Sequence, residues 1–225
     1  KRPDDRWKGC DAIADAHMDG GHLQAGYLDE IILNIGEFHL PPNEIQDILP
    51  QHLLMLRVAA GALKDAGIPL REERTRMGAL IGMDFDFNAT DFQLRWNLHT
   101  AVYQWKIRAG LDIDDQETNI WLQSLSKAIG EPLTPSRTLG ALGGIIASRI
   151  AREFRLGGPS FGVSCEEASG LKALEIGVRS LQQNEMDTVL VGAVDLPGDI
   201  RRVLTAHKIN PFSKTGEIRP FDQHG

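Results

Sequence analysis

A layered α/β fold follows from two stretches of this sequence. Thr188 to Val194 is a continuous apolar run between Asp187 and Asp195, the pattern of a central strand covered on both faces. Gly158 to Leu171 reads as a short buried strand that runs into a sharp turn and then a helix. That order of strand, helix and strand argues for a layered α/β architecture.

Each element has its own signal. Residues 1–40 are Gly-rich and irregular, and Trp7, Tyr27, Leu28, Ile31, Ile32 and Phe38 anchor them as a packed loop region. Pro41-Pro42-Asn43-Glu44 offers a helix start with Asn43 as N-cap and Gln46 at the third position. Pro50 opens a longer helix, because a proline at the first helical position loses no hydrogen bond. Leu49, Leu53, Leu56, Ala60 and Leu63 recur along it at spacings of four and three, and Gly67 is its C-terminal stop. Arg76 to Met83 holds Ala79, Leu80 and Ile81 between glycines and reads as a buried strand. In residues 84–135, fragments of helical period predict two helices, Phe92 to Ile107 and Thr118 to Ile129, with Trp96, Tyr103, Trp105 and Trp121 as core or contact aromatics. Leu139, Leu142, Ile146, Ile150 and Phe154 mark one further helix, opening after Pro135-Ser136. Leu171, Leu174, Val178 and Leu181 mark the next, which closes near Asn184. Asp195 and Asp199 bracket a Pro197-Gly198 turn.

Composition removes several classes of function. The 225 residues are 42% hydrophobic, enough for one large core or two small ones. A net charge of -7 with scattered basic residues gives no footprint for nucleic acid or an anionic membrane. The longest uncharged apolar stretch, near Leu139 to Ser148, is far shorter than the about 20 residues that span a bilayer. Lys1 to Trp7 is charged and lacks the apolar run of a secretion signal. The chain starts without Met and stops after Phe221-Asp222-Gln223-His224-Gly225, as a piece of a longer protein does. Two cysteines, Cys10 and Cys165, supply neither a disulfide framework nor a thiolate metal site, and a reducing, cytoplasmic compartment is expected. None of the seven histidines pairs at a spacing of three or four, so metal binding is not expected and surface or loop roles are. No Gly-x-x-x-x-Gly-Lys loop exists, and Gly162 to Glu166 lacks the last glycine of a hydrolase elbow.

The turn at Cys165-Glu166-Glu167-Ala168-Ser169 is where chemistry would sit. A group between strand and helix meets the unpaired N–H groups of the first helical turn and roughly half a positive charge. Those features lower a thiol pKa and bind the oxyanion of an acyl-transfer intermediate. Glu167 would gain about 0.3–1 kcal/mol there as an anion, yet a carboxylate is a weak nucleophile toward thioesters and its acyl product is a labile anhydride. Two readings stand: Glu166 and Glu167 as an acidic first turn on a solvated helix end, or Glu167 in the seat of a nucleophile. Cys165 is not expected to replace it as nucleophile: in a strand it would lie about 7 Å from residue 167, against a tolerance of about 0.5 Å. It is expected to pack as a small buried hydrophobe.

Gly158-Pro159-Ser160, the turn and Leu171 together resemble the active-site segment of β-ketoacyl synthases, the condensing domains of fatty-acid and polyketide synthases. That family shows Gly-Pro-Ser, then Asp-Thr-Ala-Cys-Ser-Ser, then Leu, and the register puts Glu167 on its cysteine and Ser169 on one of its serines. Pro3-Asp4-Asp5-Arg6-Trp7, Leu49-Pro50-Gln51-His52-Leu53-Leu54, Ala59 to Ile68, Leu139 to Ile150 with Arg149-Ile150 in register, and Asn210 to Asp222 are similar to further family segments in collinear order. Residues 84–135 diverge, and resemble, as a weaker match, the insert seen in polyunsaturated fatty-acid synthase systems.

The resemblance implies a thiolase-like layered α/β fold, with residues 1–225 forming the N-terminal part of a ketoacyl-synthase-like domain. The family's first strand would lie upstream and its two catalytic histidines downstream, so a condensation has nothing here to stabilise the enolate oxygen. It implies acyl carrier protein as a partner, with phosphopantetheine arriving on that carrier and no cofactor held by this chain. It also implies a homodimer, or a heterodimer with a condensing ketoacyl synthase, and no nucleic acid or membrane. With Glu167 in the nucleophile position, flanked by Cys165, Glu166 and Ser169, the expected role is a chain-length-factor type partner that shapes the acyl cavity. Two alternatives stay open: a malonyl-carrier-protein decarboxylase of the loading-module type, with protonated Glu167 mimicking an amide and Glu166 raising its pKa, and a deliberate Cys-to-Glu change in an active condensing enzyme.

Overall fold

The computed structural model describes residues 10, 16, 26–28, 30–87, 90–129, 134–213, 217 and 223, without the side chains of residues 90–96. By compactness the chain divides into Leu33–Asp195 and a second unit of Lys1–Ile32 with Leu196–Gly225.

The larger unit is built on a sheet of three parallel strands, β1 (Met77–Met83), β2 (Ser160–Val163) and β3 (Thr188–Val194), in the order β2-β1-β3. Ala79 lies opposite Ser160 and Met77 opposite Thr188. All seven residues of β1 are buried. Successive side chains on a strand point to opposite faces, and the two faces have different covers. Leu80, Val189 and Val191 face helix α6 (Ser169–Gln182), forming a core cluster with Val163, Ala173, Ile176 and Met186. Ile81 and Gly192 face Met55 of helix α1 (Pro50–Asp65), which packs beside helix α5 (Ile146–Phe154).

Helix α1 forms as its pattern dictates: Pro50 occupies the first turn, and Leu49, Leu53, Leu56, Ala60 and Leu63 are all buried. Each such leucine contributes about 1.5–3 kcal/mol when removed from water. Gly67 ends the segment with φ +67°, open to glycine at no steric cost. Helices α2 (Thr90–Arg108) and α3 (Asp115–Ile129) pack as a hairpin, with the Trp105 and Trp121 rings 6.4 Å apart. The side chain of Trp96 lies outside the described residues.

Four expectations are corrected. The central strand is β1, and β3 stands at the edge of the described sheet; a continuous apolar run reports helices above and below a strand, not neighbours on both sides. Asn43 caps nothing: Ile45–Asp47 is a single 3-10 turn with Glu44 at its N-cap. The helix expected over 139–154 is three pieces, α4 (Pro135–Gly140), a 3-10 turn at Gly143–Ile145, and α5. Leu142 is extended just before two consecutive glycines, each costing about 1 kcal/mol in a helix. Leu171, Leu174, Val178 and Leu181 mark a real helix, α6, but on its outward face: they are 74%, 50%, 44% and 41% exposed. The inward face is Ser169, Ala173 and Gly177 because the helix lies close to the sheet; a Cβ on Gly177 would meet Val191 Cγ2 at 3.0 Å.

In the smaller unit the Pro197-Gly198 turn leads into a helix with no earlier signal, α7 (Ile200–Ile209), capped by the Asp199 carboxylate accepting from the Arg201 N–H at 2.8 Å. Val203 packs there with Cys10, Ile200 and Leu204. Of the loop region 1–40, residues 1–9, 11–15, 17–25 and 29 lie outside the described residues.

Candidate functional site

Strand β2 ends at Val163, and after five intervening residues α6 begins at Ser169. The turn between them sits on the end of the central strand, where Gly82 leaves room for it. A Cβ at that position would stand 2.6 Å from Gly170 N and from Ser169 C, both backbone atoms that cannot swing aside. Any side chain on residue 82 would therefore lift the start of α6 off the sheet.

Within the turn Glu166 takes a left-handed backbone, φ +49°. For a residue with a Cβ this costs about 1–3 kcal/mol, so surrounding bonds must hold it. The Ala168 N–H donates to the Cys165 carbonyl at 3.0 Å and the Ser169 N–H to the Glu166 carbonyl at 3.1 Å. The Ser169 hydroxyl closes the loop from inside: it accepts from the Cys165 N–H at 2.8 Å and donates to the Glu166 carbonyl at 2.5 Å. Ser169 is 5% exposed.

The structure thus brings Cys165, Glu166, Glu167 and Ser169 into one strand-to-helix turn. Cys165, Glu166 and Glu167 are exposed and Ser169 is buried. Cys165 is corrected: it is an exposed free thiol, not a buried hydrophobe, because β2 has already ended and the left-handed Glu166 turns the chain outward. Strand spacing consequently does not apply between residues 165 and 167. A carboxylate at residue 167 lies beside the start of a 14-residue helix, whose first-turn N–H groups favour negative charge.

His52 is a second correction. Expected at a surface or in a loop, it is 1% exposed on α1. Burial, and then the Arg149 guanidinium, lower its pKa to about 4; the Gly143 backbone opposes the shift through a contact short of full hydrogen-bond geometry. Two sequence motifs, Gln51-His52 and Arg149-Ile150, therefore meet across the α1–α5 contact. Elsewhere Glu153 of α5, also buried, accepts from Arg71 Nε at 2.9 Å, Arg71 Nη2 at 2.6 Å and the His39 N–H at 2.9 Å. That cluster fastens the 37–39 loop, whose Phe38 ring meets Phe154 edge-on at 6.4 Å.

Sequence reasoning missed Gly82 and the hydroxyl bridge of Ser169. The available signal for Gly82 was a glycine at the end of a buried strand, where close backbone approach is the usual reason. Among the described residues, no group of three or more His, Cys, Asp or Glu could hold a metal, and no helix is long and apolar enough to cross a membrane.

Comparison with known proteins places this geometry. The β-ketoacyl synthase N-terminal domain model matches residues 2–225. The chain is 31% identical over 188 residues to the highly reducing polyketide synthase easB of Emericella nidulans, covering 82% of this chain and 6% of that protein. It is 30% identical over 196 residues to 6-methylsalicylic acid synthase of Penicillium patulum, covering 84% of this chain and 9% of the relative. The chain thus spans less than a tenth of the length of these relatives. In fold it is similar to the PfaC keto synthase-chain length factor, with a TM-score of 0.68, 23% identity, and coverage of 92% of this chain and 22% of that one. The parallel sheet between helical layers is the thiolase-like fold, and with the family match across nearly its whole length, the chain belongs to the β-ketoacyl synthase family.

Proposed function

We propose that this chain is the N-terminal part of a ketoacyl-synthase-like domain, in a multidomain fatty-acid or polyketide synthase, in which Glu167 stands where the family has its acyl-accepting cysteine. The single observation that supports this most is the turn itself: residue 167 lies between β2 and α6, and Gly158-Pro159-Ser160 and Leu171 keep the family distances on either side. A carboxylate there takes no acyl group from a thioester, because the product would be an anhydride. The domain then serves as a chain-length-factor type partner, pairing with a condensing ketoacyl synthase in the cytoplasm and shaping the cavity for a chain delivered on the phosphopantetheine of acyl carrier protein.

The decarboxylase reading requires a neutral Glu167. The test is mass spectrometry of the full-length protein incubated with malonyl-acyl carrier protein. An unchanged malonyl group supports the proposal, whereas conversion to the acetyl form with loss of carbon dioxide overturns it. The genomic codon for residue 167 separates both from a deliberate Cys-to-Glu change.

A further inference from the structure

Cys165, Glu166 and Glu167 are exposed, so packing of their side chains does not hold the turn in shape. The buried group in it is Ser169. Its hydroxyl and its own N–H both donate to one oxygen, the Glu166 carbonyl, at 2.5 and 3.1 Å, while the hydroxyl also accepts from the Cys165 N–H at 2.8 Å. Two donors on one carbonyl fix the plane of the peptide joining residues 166 and 167. A peptide is planar and trans, so fixing its carbonyl also sets the direction of the Glu167 N–H and the position of the Glu167 Cα, from which its side chain leaves. The left-handed Glu166, φ +49°, marks the conformation that these bonds hold.

We propose that Ser169 is the positioning residue of this turn, its hydroxyl bridging the Cys165 N–H and the Glu166 carbonyl so that residue 167 is aimed from the start of α6 toward the acyl group. The inference rests on the reading that residue 167 occupies the nucleophile seat. Ser169 touches no substrate in this role; it acts through the peptide plane.

A thiol placed at residue 167 reports the aim. In the full-length protein under reducing conditions, Glu167→Cys, Glu167→Cys with Ser169→Ala, and Glu167→Cys with Ser169→Thr are alkylated with iodoacetamide across pH, and residue 167 is followed by peptide mapping. With Ser169 present, the thiol midpoint falls below the ordinary value of about 8.5. Ser169→Ala raises that midpoint by about one unit, a tenfold loss of thiolate at fixed pH, and Ser169→Thr restores it. Hydrogen exchange supplies the second readout: in Ser169→Ala the Cys165 amide exchanges at least tenfold faster while the Leu80 and Ile81 amides of β1 keep their protection. An unshifted midpoint in Ser169→Ala, a Ser169→Thr variant that behaves like alanine, or parallel loss of β1 protection overturns the proposal. If the Glu167→Cys thiol titrates at its ordinary value with Ser169 intact, the seat reading fails first and takes this inference with it.

Discussion

His52 carries an imidazole into the packed face of α1 beside the Arg149 guanidinium, and both the burial and the neighbouring charge favour its neutral form. Its pKa is pushed down to about 4 in the fold from an ordinary 6.5. Between those values the unfolded chain binds a proton that the native state does not, so stability falls as pH drops from 6.5 toward 4 and is full above 6.5. The loss is on the order of 3 kcal/mol. Hydrogen exchange of the α1 amides at pH 7 and pH 4.5 checks it, and His52→Gln should flatten the difference. The Glu153 carboxylate presents the opposite case, a buried anion gripped by Arg71 and the His39 N–H. Arg71→Ala strands that charge; because Arg71 is itself 36% exposed, water can partly replace it, and the expected cost is about 2 kcal/mol rather than the full 3–5 kcal/mol of a sealed pair. Denaturant melts of Arg71→Ala and Arg71→Lys measure it, with lysine giving only partial rescue because it has no fork. Neither residue advertised its burial in the sequence: both are ordinarily surface types, and only the folded neighbours give them partners.

At the scale of elements, α6 shows how a correct periodic signal can carry the wrong orientation. Leucines and valine at 171, 174, 178 and 181 mark a helix as clearly as Leu49 to Leu63 mark α1, yet α1 turns its apolar residues inward and α6 turns them out. The difference lies in the small residues opposite. Ala173 and Gly177 allow α6 to approach β1 and β3 closely, and larger side chains on that side would hold it away. Gly177→Leu should therefore destabilise the fold by about 1–3 kcal/mol through overpacking against Val189 and Val191, read as a lower midpoint of urea unfolding. Gly82→Ala should cost a similar amount for a different reason, since its Cβ meets backbone at the start of α6; the Ser169 and Gly170 amides should lose exchange protection before those of β1.

At the scale of the whole molecule, the outward stripe of α6 is an apolar surface of a kind that soluble chains seldom leave bare. The 225-residue polypeptide is expected to bind a hydrophobic dye, and Leu174→Glu with Val178→Glu should lower the fluorescence several-fold without shifting the far-ultraviolet circular dichroism. From sequence alone came the α/β layering, helix α1 with its inward face, both helices of the 90–129 hairpin, all three strands, and the turn that carries residue 167, because these rest on local periodicity, Pro and Gly punctuation, and a collinear family pattern. Only the tertiary structure decided that β1 rather than β3 lies at the centre, that α6 faces the sheet with its small residues, that His52 is buried, and that Ser169 ties the turn from within. Those are properties of which surfaces meet and of hydrogen bonds between residues bent back on one another, and a linear pattern records neither.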